Sequence, residues 1–200
     1  MSGIKKGFFF TLLLISLFFS GCAGSVKHMR SVSEDMAVTD PDDGKALMVF
    51  MRPSGIGFAI QSSVYVIEEG EPILVGIVAA KKKVAYQVEP GKQIFMVVGE
   101  SADFMSADVL PNKTYYALVT PRMGMWKARF SLKPIHNEQL DSTDFYTWLN
   151  ECEWVVKTPE SDLWVMNNKT SIREKHDKYF PEWMRKAPSA RPALTPADGI

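Results

Sequence analysis

Between Ala46 and Ile135 the chain repeats one pattern: a short apolar or alternating run, then a turn built from Gly, Pro, Asn or charged residues. Runs this short at this spacing leave no room for ordinary helices and predict strands. ALMVFMRP, 46–53, is a β-rich apolar run stopped by Pro53, and Ser54-Gly55-Ile56-Gly57 follows as a flexible loop. SSVYVIEE, 62–69, and PILVGIVAA, 72–80, flank Gly70 in a charged turn and read as a hairpin. KKKVAYQVEPG, 81–91, places Val84, Tyr86 and Val88 on one face, and QIFMVVGE, 93–100, returns from the turn Glu89-Pro90-Gly91-Lys92. In that turn Pro presets φ at the second position and Gly supplies the third. FMSADVL, 104–110, is turned by Pro111-Asn112-Lys113 into TYYALVTP, 114–121. MWKARFSLKPI, 125–135, alternates Trp126, Ala128, Phe130 and Leu132 with Lys127, Arg129, Ser131 and Lys133, the mark of a half-buried strand with a basic wet face. The fold expected over 45–135 is therefore mainly β, an antiparallel β-sandwich.

After Pro134 the period changes and predicts a helical extension over 136–186 packed on the sandwich. Asp141 or Ser142 caps a short helix carrying Phe145, Trp148, Leu149 and Cys152. Thr158-Pro159-Glu160 opens another: a hydroxyl N-cap, Pro at the first position and an acid in the first turn. It carries Leu163, Trp164 and Met166 and is weakened by Asn167-Asn168. A second segment starts near Thr170 or Ser171 and carries Ile172, His176 and Tyr179/Phe180 as far as Pro181. The Pro- and Ala-rich stretch 187–200 is expected to be disordered.

The N-terminus reads as an address. Lys5 and Lys6 precede an apolar run from Phe8 to Phe19, then small residues, then Cys22. A basic head, an apolar stretch of this length and a small-residue site describe a secretory signal over 1–21, short for a spanning helix, which wants about 20 apolar residues. Phe19-Ser20-Gly21-Cys22 resembles the bacterial lipobox, in which the cysteine takes a diacylglycerol and becomes the first residue of the mature chain. The expected partner is thus the membrane, through lipid on Cys22. Ala23 after the cysteine, where Asp commonly retains such proteins in the inner membrane, points to the outer membrane facing the periplasm if the organism is Gram-negative. The polar stretch over 22–44 reads as a flexible tether of about 25 Å root-mean-square reach.

Losing Lys5 and Lys6 takes the balance of 23 basic and 23 acidic residues to a net charge of about −2, too small a field to attract nucleic acid. Cys152 would then be the remaining cysteine, so no intrachain disulfide is expected and the core must carry the stability.

Arg52-Pro53 closing the first strand, Val88-Glu89-Pro90-Gly91 at a hairpin and Lys113-Thr114-Tyr115-Tyr116 opening a late strand resemble a family of bacterial lipoproteins, over roughly residues 44–121. Its members carry a small β-sandwich domain related to the PEGA type, so the resemblance implies a PEGA/transthyretin-like sandwich and an envelope address. It implies no activity. Gln93 stands where many relatives place His.

Catalytic patterns fail. Gly99-Glu100-Ser101-Ala102-Asp103 starts like a nucleophile elbow, but Asp103 stands where a second Gly is needed for the sharp turn, and no helix is expected next. His28, His136 and His176 are scattered and Cys152 has no CxxC partner, which predicts no metal site and no cofactor. Two features remain. Lys81-Lys82-Lys83 is the densest basic run, a solvated strand end or a contact for anionic headgroups or peptidoglycan. All five tryptophans fall in the last 75 residues: a second small core under the helices, or a platform for a glycan or partner built from Trp126, Trp164 and Trp183. The expected function is a non-catalytic interaction module for an envelope protein or cell-wall polymer; the alternative is a carrier or sensor of a small apolar ligand held between sandwich and helices.

Overall fold

The computed structural model of the 200-residue chain describes residues 26–122 and 128–200. In chain order the strands are β1 (Met29–Val32), β2 (Ala46–Arg52), β3 (Ser62–Glu68), β4 (Glu71–Val78), β5 (Lys82–Val88), β6 (Gly91–Val98), β7 (Ala102–Val109), β8 (Thr114–Arg122) and β9 (Arg129–Pro134). Then come α1 (Asn137–Leu140), α2 (Thr143–Glu151), β10 (Glu153–Lys157), α3 (Pro159–Met184) and β11 (Ala193–Leu194). Two sheets face each other, ordered β1-β10-β5-β2-β8-β9 and β11-β7-β6-β3-β4. The fold is mainly β and sandwich-like, with the long C-terminal helix on it.

The eight strands read from turns and alternation are all present. Their pairing differs from the antiparallel expectation: β2–β8, β10–β5 and β11–β7 are parallel. Between β2 and β8 the chain passes through the second sheet, so β8 re-enters the first beside β2 and running the same way. The Glu89-Pro90-Gly91 turn likewise makes no hairpin. β5 pairs with β2 and β6 pairs with β3 and β7, so the turn carries the chain from one sheet to the other. Gly91 takes φ 109° there, and Gln93 Nε2 donates to the Glu89 carbonyl at 2.8 Å, bracing the corner. The Glu69-Gly70 hairpin is as expected, with positive φ at both central residues, the twist that matches paired strands.

Every residue of β2 is buried. Ala46, Met48 and Phe50 join the core between the sheets, where Phe50 meets Phe95 edge-on at 5.1 Å. Leu47, Val49 and Met51 join the opposite cluster with Phe145, Cys152 and Trp154. Beyond the other sheet, Phe104 packs on Phe180 and Trp183 of α3. Four layers result: α2, sheet, sheet, α3. A strand covered on both faces has no polar face to alternate.

Residues 136–186 are not helical throughout. Ser142 caps α2, accepting from the Phe145 N–H at 3.2 Å, but EWVVK, 153–157, leaves the helix as β10. α3 starts as read, on Thr158 and Pro159, and then runs unbroken for 26 residues. Asn168 donates from Nδ2 to the Trp164 carbonyl at 2.8 Å and stays in the helix. Pro181 falls close to its end, where the missing N–H orphans one carbonyl at most, and packing of Phe180 and Trp183 carries the helix past it. Among the described residues no helix is long and apolar enough to cross a membrane.

Both expected slack segments prove structured where they are described. In the stretch read as a tether, β1 pairs antiparallel with β10, and Val26 and Met29 are buried. The stretch 187–200 forms β11 on β7 and exchanges both backbone hydrogen bonds between Ile200 and Thr114, at 2.7 and 3.1 Å. Composition misled because each segment completes an open sheet edge or strand end that the rest of the chain supplies. The sandwich is therefore larger than 45–135.

Candidate functional site

The last residue of β2 organises one pole of the sandwich. Arg52 is fully buried, yet among the described residues no carboxylate pairs with its guanidinium. It lies over the Phe130 ring at 4.7 Å, and its fork donates to three carbonyls of the next loop: Ile60 at 2.6 Å, Ile56 at 2.9 Å and Gly57 at 2.9 Å. Burial lowers its pKa to about 10, which still leaves it cationic at neutral pH. The loop this builds, residues 53–61, presents Ile56, Phe58 and Ile60 to solvent.

Behind Ile60 lies a cleft of about 290 Å³, walled by the N-terminal segment, the pole of the β3–β4–β6 sheet and α3. The N-terminal wall is fixed by α3 itself. The His28 carbonyl accepts from the Ser161 hydroxyl and from Thr158 Oγ1, both in the first turn of the helix. His28 takes a positive φ, 64°, and its ring stacks at 6.2 Å on Trp164. Trp164 is half-buried and lines the cleft with Lys27, Lys175, Asn168 and Ser171. Lys175 Nζ donates to Ser171 Oγ at 3.1 Å. The apolar floor comes from Ile77, Val98 and Ile172. Glu100 lines the cleft too, so it carries both signs of charge; such a wall can stack on a ring, hydrogen-bond hydroxyls and amides, and pair with a charged group beside Lys27 or Lys175.

The tryptophans divide. Trp164 borders the cleft. Trp183 is 3% exposed, packed on Phe104 and Phe180 beneath Arg191, so it belongs to the core and not to a platform. Trp126 lies outside the described residues, as does Cys22. Trp154 is buried with Trp148 beside it on the opposite face of the molecule, so no single aromatic surface forms among the described residues.

Lys81, Lys82 and Lys83 are mostly turned inward. Lys81 is exposed and pairs with Glu151 at 2.6 Å. Lys82 is buried and pairs with Glu153. Lys83 is buried, donates to the Leu149 carbonyl at the end of α2 at 2.6 Å and lies 4.5 Å over the Trp154 ring. A cation suits the negative end of a helix, and the run ties β5 to α2 and β10 instead of offering a basic patch. Burial pulls the Lys83 ammonium below its ordinary value, against the pull of Cys152 and Glu34. A second cavity of about 410 Å³ lies here, and Cys152 borders it as a buried free thiol. Burial pushes that thiol up to about 11, against the pull of Lys83 and Lys81, so it stays protonated at neutral pH.

Gly99–Ser101 forms the β6–β7 turn, with Gly99 N–H donating to the Ser101 carbonyl at 2.9 Å, and Ala102 and Asp103 already belong to β7. Among the described residues no three His, Cys, Asp or Glu side chains converge as a metal site would need. The residues missed from sequence are Arg52 as a loop organiser and Ile56, Phe58 and Ile60 as an exposed row. Their signal was present: alternating apolar residues in a glycine-bearing loop that no strand run claims.

No protein-family model matches the chain, and no curated protein matches it.

Proposed function

We propose that this chain is a bacterial envelope lipoprotein, anchored through acyl chains on Cys22, whose PEGA/transthyretin-like sandwich serves as a non-catalytic docking module for cell-wall polymer. Ala23 after the anchor favours the outer membrane in a Gram-negative cell. The observation that carries the docking role is the cleft at Trp164: an indole for stacking on a sugar, Lys27 and Lys175 for acidic peptide-stem groups, and Asn168 and Ser171 for amide and hydroxyl contacts. A polymer site on an anchored body needs no nucleophile, and the cleft offers recognition groups instead of one.

The test uses membranes crosslinked with the full chain in place. Muropeptides should be recovered with the native protein and lost with Trp164→Ala, while fractionation of Cys22→Ser should release the protein from lipid. Recovery unchanged by Trp164→Ala removes the cleft from the docking role, and membrane retention of Cys22→Ser with normal maturation removes the anchor. A second reading, a carrier of a small apolar ligand, draws on the apolar floor of Ile77, Val98 and Ile172 between sheet and helix. Native mass spectrometry after gentle extraction would show a co-purifying apolar mass if that reading holds.

A further inference from the structure

We infer that the loop 54–61 is a membrane-contacting finger, which sets Ile56, Phe58 and Ile60 into the interfacial layer of the bilayer that holds the chain. This rests on the reading of Cys22 as the lipid anchor and adds a second, non-covalent contact that fixes the orientation of the domain.

Three observations converge. The first is exposure: Ile56 is 61%, Phe58 79% and Ile60 43% exposed, three large apolar side chains within five residues. No Asp, Glu, Lys or Arg stands between Arg52 and Glu68 to oppose entry into an apolar layer.

The second is the state of the backbone. A loop entering lipid fails when its carbonyls lose water and gain nothing. Here Arg52 reaches up from the protein interior and donates to the Ile56, Gly57 and Ile60 carbonyls, so the tip is satisfied from beneath. The Ile60 N–H donates to the Gly57 carbonyl at 2.9 Å and the Ile56 N–H to Ser54 Oγ at 3.2 Å. Gly57 takes φ 66°, which a side chain would resist. A buried cation with no acid partner is costly to keep; its work here is to hold a loop that has nothing apolar to pack on.

The third is position. Ile60 and Gln61 share the cleft wall with Lys27 and His28, so the finger stands where the chain leaves the domain. Val26 is the first described residue, and three residues lie between its position and that of Cys22, four steps along the chain. An extended chain covers at most about 14 Å over that stretch. With His28 held against the start of α3, acyl chains on Cys22 must enter the bilayer within that reach of Val26, and the neighbouring finger faces the same surface.

The experiment reconstitutes the full, matured chain into phosphatidylethanolamine–phosphatidylglycerol vesicles, with a polarity-sensitive NBD label on Ala59→Cys, which keeps all three apolar residues. A reference label sits on Asn112→Cys, at the far end of β2, about 23 Å away for a seven-residue strand. Cys152 is buried and stays unlabelled, and flotation scores the anchor separately. The label at 59 should shift to the blue on reconstitution and be quenched at least twofold more than that at 112 by lipids spin-labelled near the headgroup. Adding Phe58→Asp should abolish the difference. Flotation with equal quenching at both sites overturns the finger and leaves the anchor standing. Failure to float overturns the anchor and the finger with it. Shielding that requires added membrane proteins or a second copy of the chain, and not lipid, also overturns the finger.

Discussion

The two poles of the sandwich solve the same problem in opposite ways. At each, strands end and must leave their last backbone groups satisfied. The tail pole, where β2 and β8 begin, closes with the chain's own polar groups. Thr114 exchanges backbone bonds with Ile200, Asn112 N–H donates to the Lys45 carbonyl at 2.6 Å, and Lys113 Nζ donates to the Gly199 carbonyl at 2.7 Å. Asp198, buried there, gathers Thr195, Asn137 and His136. The loop pole, where β2 ends, holds its loop on the buried Arg52 guanidinium and leaves an apolar row in the open. The tail pole spends its polar groups on its own tail. A pole that supports an apolar loop from within has groups to spare, and the cleft and the anchor side of the chain lie there too.

The contrast breaks most visibly at Arg52. Arg52→Met removes three charge-assisted hydrogen bonds to carbonyls that then lack a donor, and should cost about 3 kcal/mol, read by chemical denaturation. Arg52→Lys should recover only part, since an ammonium lacks the planar fork. Hydrogen exchange should place the loosening in residues 53–61. If Arg52→Met unfolds at the same denaturant concentration as the native chain, the loop pole is not held from within.

At the tail pole the matching change is Gly199→Ala. A Cβ there would fall 2.4 Å from the ring of Tyr115, which is fully buried, so ring or tail must move. Overpacking of this kind costs about 2 kcal/mol, and denaturation should show it. Hydrogen exchange should show the Ile200 and Thr114 amides opening together while the 53–61 loop stays protected. Equal loosening at both poles would mean that they are not independent.

What could be read from the sequence follows from how local each signal is. β2 to β9 were legible because each strand carries its own run and its own turn: Glu69-Gly70 and Asn112 sit in the left-handed conformations their turns require. α2 and the start of α3 were legible because Ser142, Thr158 and Pro159 are caps in sequence and in space. β1, β10 and β11 were not. Met29–Val32 and Ala193–Leu194 are too short to bury a face alone and form only because β10 and β7 present free edges. The same distance defeats the site. Lys81-Lys82-Lys83 reads as a charge run until Glu151, Glu153 and the end of α2 are brought beside it from about 70 positions away. Arg52, next to a proline, reads as a strand end until the loop folds back over it.

The smallest effect, and the one that separates the poles by chemistry, is acid. Burial pushes the Asp198 carboxyl up. The hydrogen bonds it accepts from Thr195, Asn137 and His136 outweigh that and hold it below the ordinary carboxylate range. Since it titrates lower in the folded chain than in the unfolded one, its contribution is fully present above the unfolded value, about pH 4, and is lost as pH falls through the folded value. Between pH 5 and pH 3, therefore, the protection of the Ile200 amide relative to its intrinsic exchange rate should fall in the native chain and much less in Asp198→Asn, which has already lost the ion. The Ile56–Ile60 amides should not follow, because Arg52 keeps its charge throughout. A parallel loss of protection at both poles would place the acid response in the shared core and dissolve the contrast between them.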